Sequence, residues 1–135
     1  MSNQAAFQLS IPATMPKSVG YSQLAIVESG KLVFIAGQVA LDTSGNLVGE
    51  NDIRAQLQQV FENLKAAVTS DGGTFSDIVK LNVYYTDRSH LAAFREIRDQ
   101  YINLSNPPIS TAVQVAGLFR PELLIEIEAV AVLAE

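Results

Sequence analysis

The C-terminal part of the chain contains two stretches in which hydrophobic and polar residues alternate. In residues 124–131 the apolar side chains share one face, while Glu126 and Glu128 share the other. Residues 109–116 show the same alternation, with Ser110 on the polar side. This pattern is typical of half-buried strands, and the short loop between the two stretches favours an antiparallel hairpin. The sequence therefore predicts two carboxylates that project from a strand whose opposite face is packed.

Runs of β-branched and aromatic residues predict further strands, at residues 6–9, 21–28, 31–36 and 78–85. Ser29 and Gly30 make a two-residue connection between the second and third of these. We therefore expect those two strands to pair as a hairpin. Gly37 comes directly after the third strand, a position where glycine indicates a bulge or the close approach of another group to the backbone.

Two segments have the three- and four-residue spacing of amphipathic helices. The first carries the apolar residues Ile53, Leu57, Val60, Phe61, Leu64 and Val68, and the second carries Leu91, Phe94, Ile97 and Tyr101. Asn51 or Asp52 is the expected cap of the first helix, and Ser89 that of the second. The pair Gly72 and Gly73 is expected to end the first helix. The order β-β-β-α-β-α-β-β predicts an α+β fold with both helices on one face of the sheet.

The composition suggests that the other face of the sheet is covered as well. Hydrophobic residues make up 48% of the 135 residues and charged residues only 17%, against a usual quarter or so. A chain of this length is expected to form one domain, residues 1–135, and it cannot bury that much apolar surface within itself. We therefore expect other copies of the chain to pack on the uncovered face.

Several kinds of chemistry are disfavoured by the residue content. With no cysteine and one histidine, His90, the chain offers no thiol nucleophile and no catalytic triad, and His90 is expected to be exposed. Scattered carboxylates alone do not predict a metal site. The net charge of −5 argues against binding to nucleic acid. The chain lacks an apolar run long enough for a membrane span, and residues 1–4 lack the features of a signal peptide, so a cytoplasmic protein is expected.

A series of short segments runs through nearly the whole chain. They are Gly-Tyr-Ser-Gln at residues 20–23, Phe-Ile-Ala-Gly-Gln-Val at 34–39, Val-Phe-Glu-Asn-Leu-Lys-Ala at 60–66, Asp-Ile-Val-Lys at 77–80, Val-Gln-Val-Ala at 113–116 and Ile-Glu-Ile-Glu-Ala at 125–129. In this order they resemble the Rid family (reactive intermediate deaminases, also called YjgF or RidA-like). The resemblance implies a chorismate-mutase-like fold with a mixed sheet, a homotrimer, and small-molecule clefts between subunits. Characterised members hydrolyse imines and enamines, such as 2-aminoacrylate, to keto acids and ammonia without a metal or cofactor.

The resemblance also identifies candidate site residues. Tyr21, Gly37 and Glu126 match residues that line the family's cleft, and Arg95 stands where the family has an asparagine on its second helix. Glu126 is then the expected general base or water anchor, and the Tyr21 hydroxyl an orienting hydrogen-bond partner. Glu128 is expected to be a solvated companion on the same strand face.

One position departs from the family pattern in a way that changes the binding chemistry. Deaminating members carry an arginine two residues after a proline, and here residues 108–111 read Pro-Ile-Ser-Thr, so Ser110 occupies that place. Arginine clamps a carboxylate with two hydrogen bonds, each worth about 1.5–3 kcal/mol, whereas serine supplies one hydroxyl and no charge. Imino acids held through their carboxylate are therefore expected to be poor substrates unless Arg95 or Arg120 takes over. Each of these two arginines could equally be a solvated surface residue.

Three functions are compatible with these residues. The first is a Rid-like hydrolase or deaminase that acts on an imine or enamine other than 2-aminoacrylate. The second is a non-catalytic trimer that binds a metabolite and regulates a partner. The third and weakest is an RNA-directed protein, such as an endoribonuclease or translation inhibitor.

The predicted hairpin bears on where the pocket lies. If its turn is centred near residue 120, Glu126 lies opposite Gln114, which is about 13 Å along the strand from Ser110. One small substrate could not touch both Ser110 and Glu126 of the same chain. We therefore expect the pocket at the subunit boundary, with Ser110 and Glu126 from different chains and Tyr21 at its rim.

Overall fold

The computed structural model describes residues 5–135, and the expectation for residues 1–4 lies outside this range. Along the chain follow β1 (Ala6–Ser10), β2 (Leu24–Ser29), β3 (Lys31–Gln38), α1 (Ile53–Thr69), β4 (Ile78–Tyr85), α2 (Leu91–Arg98), β5 (Ile109–Gln114) and β6 (Ile125–Leu133). Short 3-10 turns precede β4 and α2. The predicted order of strands and helices is confirmed, and so is the α+β class.

Helix α1 forms as its sequence predicts. The Asp52 carboxylate accepts a hydrogen bond from the Ala55 amide at 3.1 Å, so Asp52 rather than Asn51 is the cap. After the helix, the Gly73 amide donates to the Val68 carbonyl at 3.0 Å, which ends the helix where the glycine pair predicts. The predicted apolar stripe packs into the main core against the sheet.

Helix α2 differs from its prediction at both ends. Asp87 accepts a hydrogen bond from the Ser89 amide at 2.8 Å and so caps the 3-10 turn before α2. The N-cap residue of α2 itself is His90, whose side chain makes no capping bond, so the assignment to Ser89 was wrong. The helix ends at Arg98, and Tyr101 lies beyond it. Tyr101 nevertheless joins the core edge, since its ring stacks on Phe61 with centroids 5.0 Å apart.

The main sheet has the strand order β3-β6-β4-β5, in which β5 is parallel to β4 and β6 is antiparallel to both of its neighbours. The predicted β5–β6 hairpin is therefore wrong, because β4 lies between them. The reason is the helix that precedes β5: a strand–helix–strand unit returns the chain parallel to its first strand. The loop between β5 and β6 then passes over the end of β4. There the Val115 amide donates a hydrogen bond to the Tyr85 carbonyl, and the Thr86 amide donates one to the Leu124 carbonyl.

Strands β1 and β2 form a separate antiparallel pair. The predicted β2–β3 hairpin is also wrong, since β3 pairs with β6 instead. Gly30, with φ of +123°, lies against Val132 and Leu133 and carries the chain from one sheet to the other. Apolar residues of the β1–β2 pair pack on Val79 and Val132, on the side of the main sheet that lacks helices. The chain therefore covers part of that side itself.

The two faces of the main sheet differ in what covers them. The helix face carries the buried residues of β4 and β6, among them Leu81, Val83, Ile125 and Ile127. The opposite face, which no helix covers and which we call the open face, carries Glu126 and Glu128 on β6. Phe34 lies on the same face of the neighbouring strand β3 and is 75% exposed. Further large apolar side chains are exposed around it, including Leu32 and Val113.

Candidate functional site

Glu126 lies on the central strand β6 and rests on a glycine of the neighbouring strand. A β-bulge at residues 36–37 interrupts the pairing of β3 with β6. A Cβ atom at position 37 would overlap the Glu126 Oε2 atom, so the carboxylate packs directly on the Gly37 backbone. The sequence-based expectation of a bulge or close approach at Gly37 is met in both respects.

The Glu126 carboxylate is half-buried and accepts no hydrogen bond from residues 5–135. Burial raises the pKa of Glu126 above its usual range, and the nearby charge of Glu128 raises it further. Both effects disfavour the ionised form, because charge is less well solvated there and like charges repel. The result is a carboxylate with free lone pairs and increased basicity.

Glu128, two residues along the same strand, is in the opposite situation. It accepts hydrogen bonds from the Asn82 amide at 3.0 Å and from the Tyr84 hydroxyl at 2.8 Å. These bonds lower the pKa of Glu128, and Lys80 adds a small favourable charge. The hydrogen bond that the Tyr84 hydroxyl donates to Glu128 raises the pKa of Tyr84. Glu128 is therefore a fixed acceptor within a side-chain network, in addition to being the partly solvated companion that the sequence predicted.

A shallow cavity of about 410 Å³ adjoins the Gly37 backbone. Gln38, Asn63 and Phe119 line part of it, and Phe119 is 69% exposed. Asn63, on α1, donates to the Val39 and Leu41 carbonyls at 3.1 and 3.0 Å and so holds the chain that leaves β3. We call Gly37, Glu126 and Phe119 the Glu126 corner.

Tyr21 is held at a different place, next to the start of β5. The predicted strand at residues 21–28 begins only at Leu24, because residues 21–23 turn toward the prolines before β5. Buried Ser22 donates from its hydroxyl to the Pro107 carbonyl at 2.7 Å, and from its amide to the Pro108 carbonyl at 3.0 Å. Tyr21 and Ser110 thus lie on adjacent segments, which we call the Tyr21 corner.

The two corners face different sides of the sheet. Ser110 is in register with Leu81, which is buried on the helix face, whereas Glu126 is in register with Tyr84 on the open face. The partner of Tyr84 in β5 is Val113, so the expected pairing of Glu126 with Gln114 was wrong. Ser110 and Glu126 are two strands and three positions apart, about 10 Å in each direction. Within one chain, Ser110 and Glu126 therefore cannot contact the same small ligand, as the sequence predicted. The reason differs from the predicted one: β4 lies between their strands, and their side chains are on opposite faces of the sheet.

The buried arginine of this structure is neither of the two that the sequence suggested as substrate-binding residues. Arg95 on α2 and Arg120 in the β5–β6 loop are both exposed, and neither forms an ion pair within residues 5–135. Arg98, which the sequence reasoning missed, is only 6% exposed. A signal for it was available, since residue 98 falls four after Phe94 and three before Tyr101, on the apolar stripe of the second helix.

Other chemistry finds little support in the described range. Residues 5–135 contain no group of three or more histidine, cysteine or acidic side chains that could hold a metal ion. No helix within that range is long and apolar enough to cross a membrane. His90 is half-buried rather than exposed, and its Nδ1 atom has no hydrogen-bond partner.

Comparison with known proteins gives consistent matches. Residues 12–133 match the family described as Endoribonuclease L-PSP. A RutC family protein of Pyrococcus horikoshii is 38% identical over 117 residues, which cover 86% of this chain and 90% of that protein. A 2-iminobutanoate/2-iminopropanoate deaminase of Dermatophagoides farinae is 32% identical over 119 residues, covering 87% and 90%. The crystal structure of YyfB from Yersinia pestis, described as a conserved Rid family protein of unknown function, matches with a TM-score of 0.84 and 37% identity, covering 94% of this chain and 98% of that one.

Proposed function

Because the chain belongs to the Rid (YjgF/RutC) family, we propose that it hydrolyses an imine or enamine to a carbonyl compound and ammonia. The observation that supports this most directly is the state of Glu126. Its carboxylate is half-buried, has no hydrogen-bond donor within residues 5–135, and has a raised pKa. A base in this state can take a proton from water at a pH where an ordinary glutamate is a weaker base.

Glu126 can serve both halves of the reaction. In the first half, the imine reacts in its protonated, iminium form: water adds to the carbon of the C=N bond, Glu126 takes one proton from the water, and a neutral carbinolamine forms. In the second half, protonated Glu126 gives this proton to the amine nitrogen, the C–N bond breaks, and ammonia leaves. Ionised Glu126 then takes the hydroxyl proton as the C=O bond forms, and it passes that proton to the solvent. The Tyr21 hydroxyl is proposed to orient the substrate, with Gly37 leaving room for the carboxylate.

The active assembly is proposed to be a homotrimer with its sites between subunits. The Glu126 corner and the Tyr21 corner lie on different sides of the sheet in one chain, so neither places both Ser110 and Glu126 at one ligand. Exposed apolar side chains, among them Leu32, Phe34 and Phe119, give the chain a surface suited to packing against copies of itself. Light scattering should give three times the mass of the chain, and a monomer at micromolar concentration would contradict a site between subunits.

The lack of a positive charge at Ser110 limits the substrates that we propose. It provides no positive charge at the position where family deaminases carry arginine, so we expect 2-aminoacrylate to be a poor substrate. Ser110→Arg should raise turnover of 2-aminoacrylate by about tenfold to a hundredfold, the worth of a hydrogen bond to a charged group. Efficient turnover by the wild type would show that another cation binds its carboxylate.

The decisive experiment is an imine panel. Imines generated in situ are supplied to the purified protein, and ammonia release is followed with Glu126→Gln as the matched inactive control. Release that depends on Glu126 supports the hydrolase. Binding of panel members without release would support a non-catalytic, metabolite-binding trimer instead. RNA cleavage, tested in parallel, is not expected of a chain with net charge −5.

A further inference from the structure

Arg98 is a buried cation at the Tyr21 corner. The side chain leaves the last turn of α2, and the residue is 6% exposed. Its guanidinium lies against Gly20, so closely that a Cβ atom at position 20 would overlap the Nη2 atom. Gly20 has φ of +83° and directly precedes Tyr21, so glycine is required there for its backbone as well as for this contact.

The protein supplies only part of what this guanidinium needs. The Nε atom donates to Asp99 Oδ1 at 2.9 Å, and Nη2 lies 2.9 Å from the same oxygen. The Phe94 ring, 5.5 Å from the guanidinium carbon, contributes a cation–π contact. Arginine carries five N–H donors, and Nη1 has no partner within residues 5–135. Nη1 is not sealed from solvent, so this largely buried cation keeps a donor that is open to an anionic ligand.

The segment that Arg98 contacts also runs beside the start of β5, which carries Ser110 at the position proposed to lack the family's arginine. Tyr21 is connected to Gly20 on one side, and on the other to Ser22, which is bound to the Pro107 and Pro108 carbonyls just before Ser110. By contrast, Arg95 is exposed on α2 and Arg120 lies in the loop beside the Glu126 corner. Of these arginines, only Arg98 combines burial with a place at the Tyr21 corner.

We infer that Arg98 binds an anionic group of the ligand, in place of an arginine at position 110. The guanidinium is anchored behind Gly20 on the helix side rather than on β5. The anion is therefore displaced from the place where a strand-borne arginine would hold it. The ligand class is an imine, enamine or carbonyl product whose carboxylate is separated from the reacting carbon by one or more methylene groups. The reaction on such a ligand rests on the proposed function, whereas its binding does not.

The test measures binding of two matched probes by calorimetry, 4-oxopentanoate and its neutral amide, 4-oxopentanamide. The wild type should bind the acid about tenfold to a hundredfold more tightly than the amide. Arg98→Met should remove this preference and Arg98→Lys should keep part of it. Arg88→Ala, which changes an exposed arginine just before the same helix, is the matched control and should leave the preference intact.

A second variant keeps the test valid if Arg98→Met does not fold, which thermal unfolding would show. Asp99→Ala removes the internal competitor for the guanidinium and should tighten binding of the acid severalfold without changing binding of the amide. A purely structural Arg98 would gain no anion affinity from this change. Equal binding of the two probes by the wild type, binding of neither, or no gain in Asp99→Ala would overturn the inference. Failure of the proposed hydrolysis would show separately, as ammonia release that does not depend on Glu126.

Discussion

The Glu126 corner and the Tyr21 corner are built from different parts of the fold. Glu126 stands on the central strand of the main sheet, and its neighbours Ile125 and Ile127 are fully buried on the other face. Ser110 stands on β5, at the end of the strand order, where most side chains are exposed. A residue on a central strand is fixed by the core, whereas a residue on an edge strand can change at little cost in packing. The proposed base is thus on the rigid element, and Ser110, which we propose to stand in place of the family's arginine, is on the tolerant one.

A second contrast lies along β6, the strand that carries Glu126. Glu126 and Glu128 project from the same strand face, yet burial raises the pKa of Glu126 while hydrogen bonds lower that of Glu128. Two identical residues can therefore have different roles, since their surroundings push their pKa values apart. The variants below test both contrasts.

The largest expected effect comes from removing the proposed base. Glu126→Gln should lower imine hydrolysis by about 10²–10⁴, the usual contribution of a positioned general base. Glu128→Gln is the matched control and should change the rate little, because Glu128 is already occupied by Asn82 and Tyr84. Steady-state ammonia release measures both. Equal losses would mean that the two carboxylates are not functionally distinct.

Displacing the base without removing it should have the next largest effect. In Gly37→Ala the new methyl group overlaps Oε2 of Glu126 and must push the carboxylate aside. A displacement of about 1 Å can cost roughly 10²-fold in rate. Gly117→Ala is the matched control, since nothing lies within 4 Å of a Cβ there. An unchanged kcat in Gly37→Ala would show that the position of Glu126 is not critical.

Mixing inactive subunits tests whether the two corners meet between chains. Ser110→Trp blocks one corner and Glu126→Gln disables the other, so each homotrimer should be inactive. In every mixed trimer, one boundary holds both native residues, and an equal mixture should recover about a quarter of wild-type activity. The proportion of mixed trimers is measured by mass spectrometry. Verified mixed trimers without recovery would place the whole site within one chain.

The smallest expected effect concerns pH. Glu126 must be ionised to accept a proton from water, and its pKa is raised by burial and by Glu128. The rate should therefore fall as the pH drops through a midpoint above the usual glutamate value of about 4.3. Glu128→Gln removes the neighbouring charge, which raises the pKa of Glu126, and should therefore move this midpoint down. A midpoint that does not move would exclude repulsion between the two carboxylates as a cause.

Local pattern was enough to predict most elements of this fold. The apolar stripe of α1 places the predicted side chains in the core, and β4 spans the predicted residues 78–85. The alternation in β6 correctly separates its buried face from the face that carries Glu126 and Glu128. These features depend on helical and strand periodicity, which is a property of neighbouring residues. The placement of Gly37 against another group was also readable from its position in a strand.

Strand pairing and side-chain environment were decided by the tertiary structure. Two hairpins were expected between strands adjacent in sequence, yet β3 pairs with β6, and β4 lies between β5 and β6. Periodicity shows that a segment is a strand and which way its side chains alternate, but its partner is chosen by contacts between distant residues. For the same reason the sequence could mark two glutamates on one face, while only the packed sheet distinguishes the unbonded Glu126 from the hydrogen-bonded Glu128. The burial of Arg98 against Gly20 likewise brings together residues far apart in the chain.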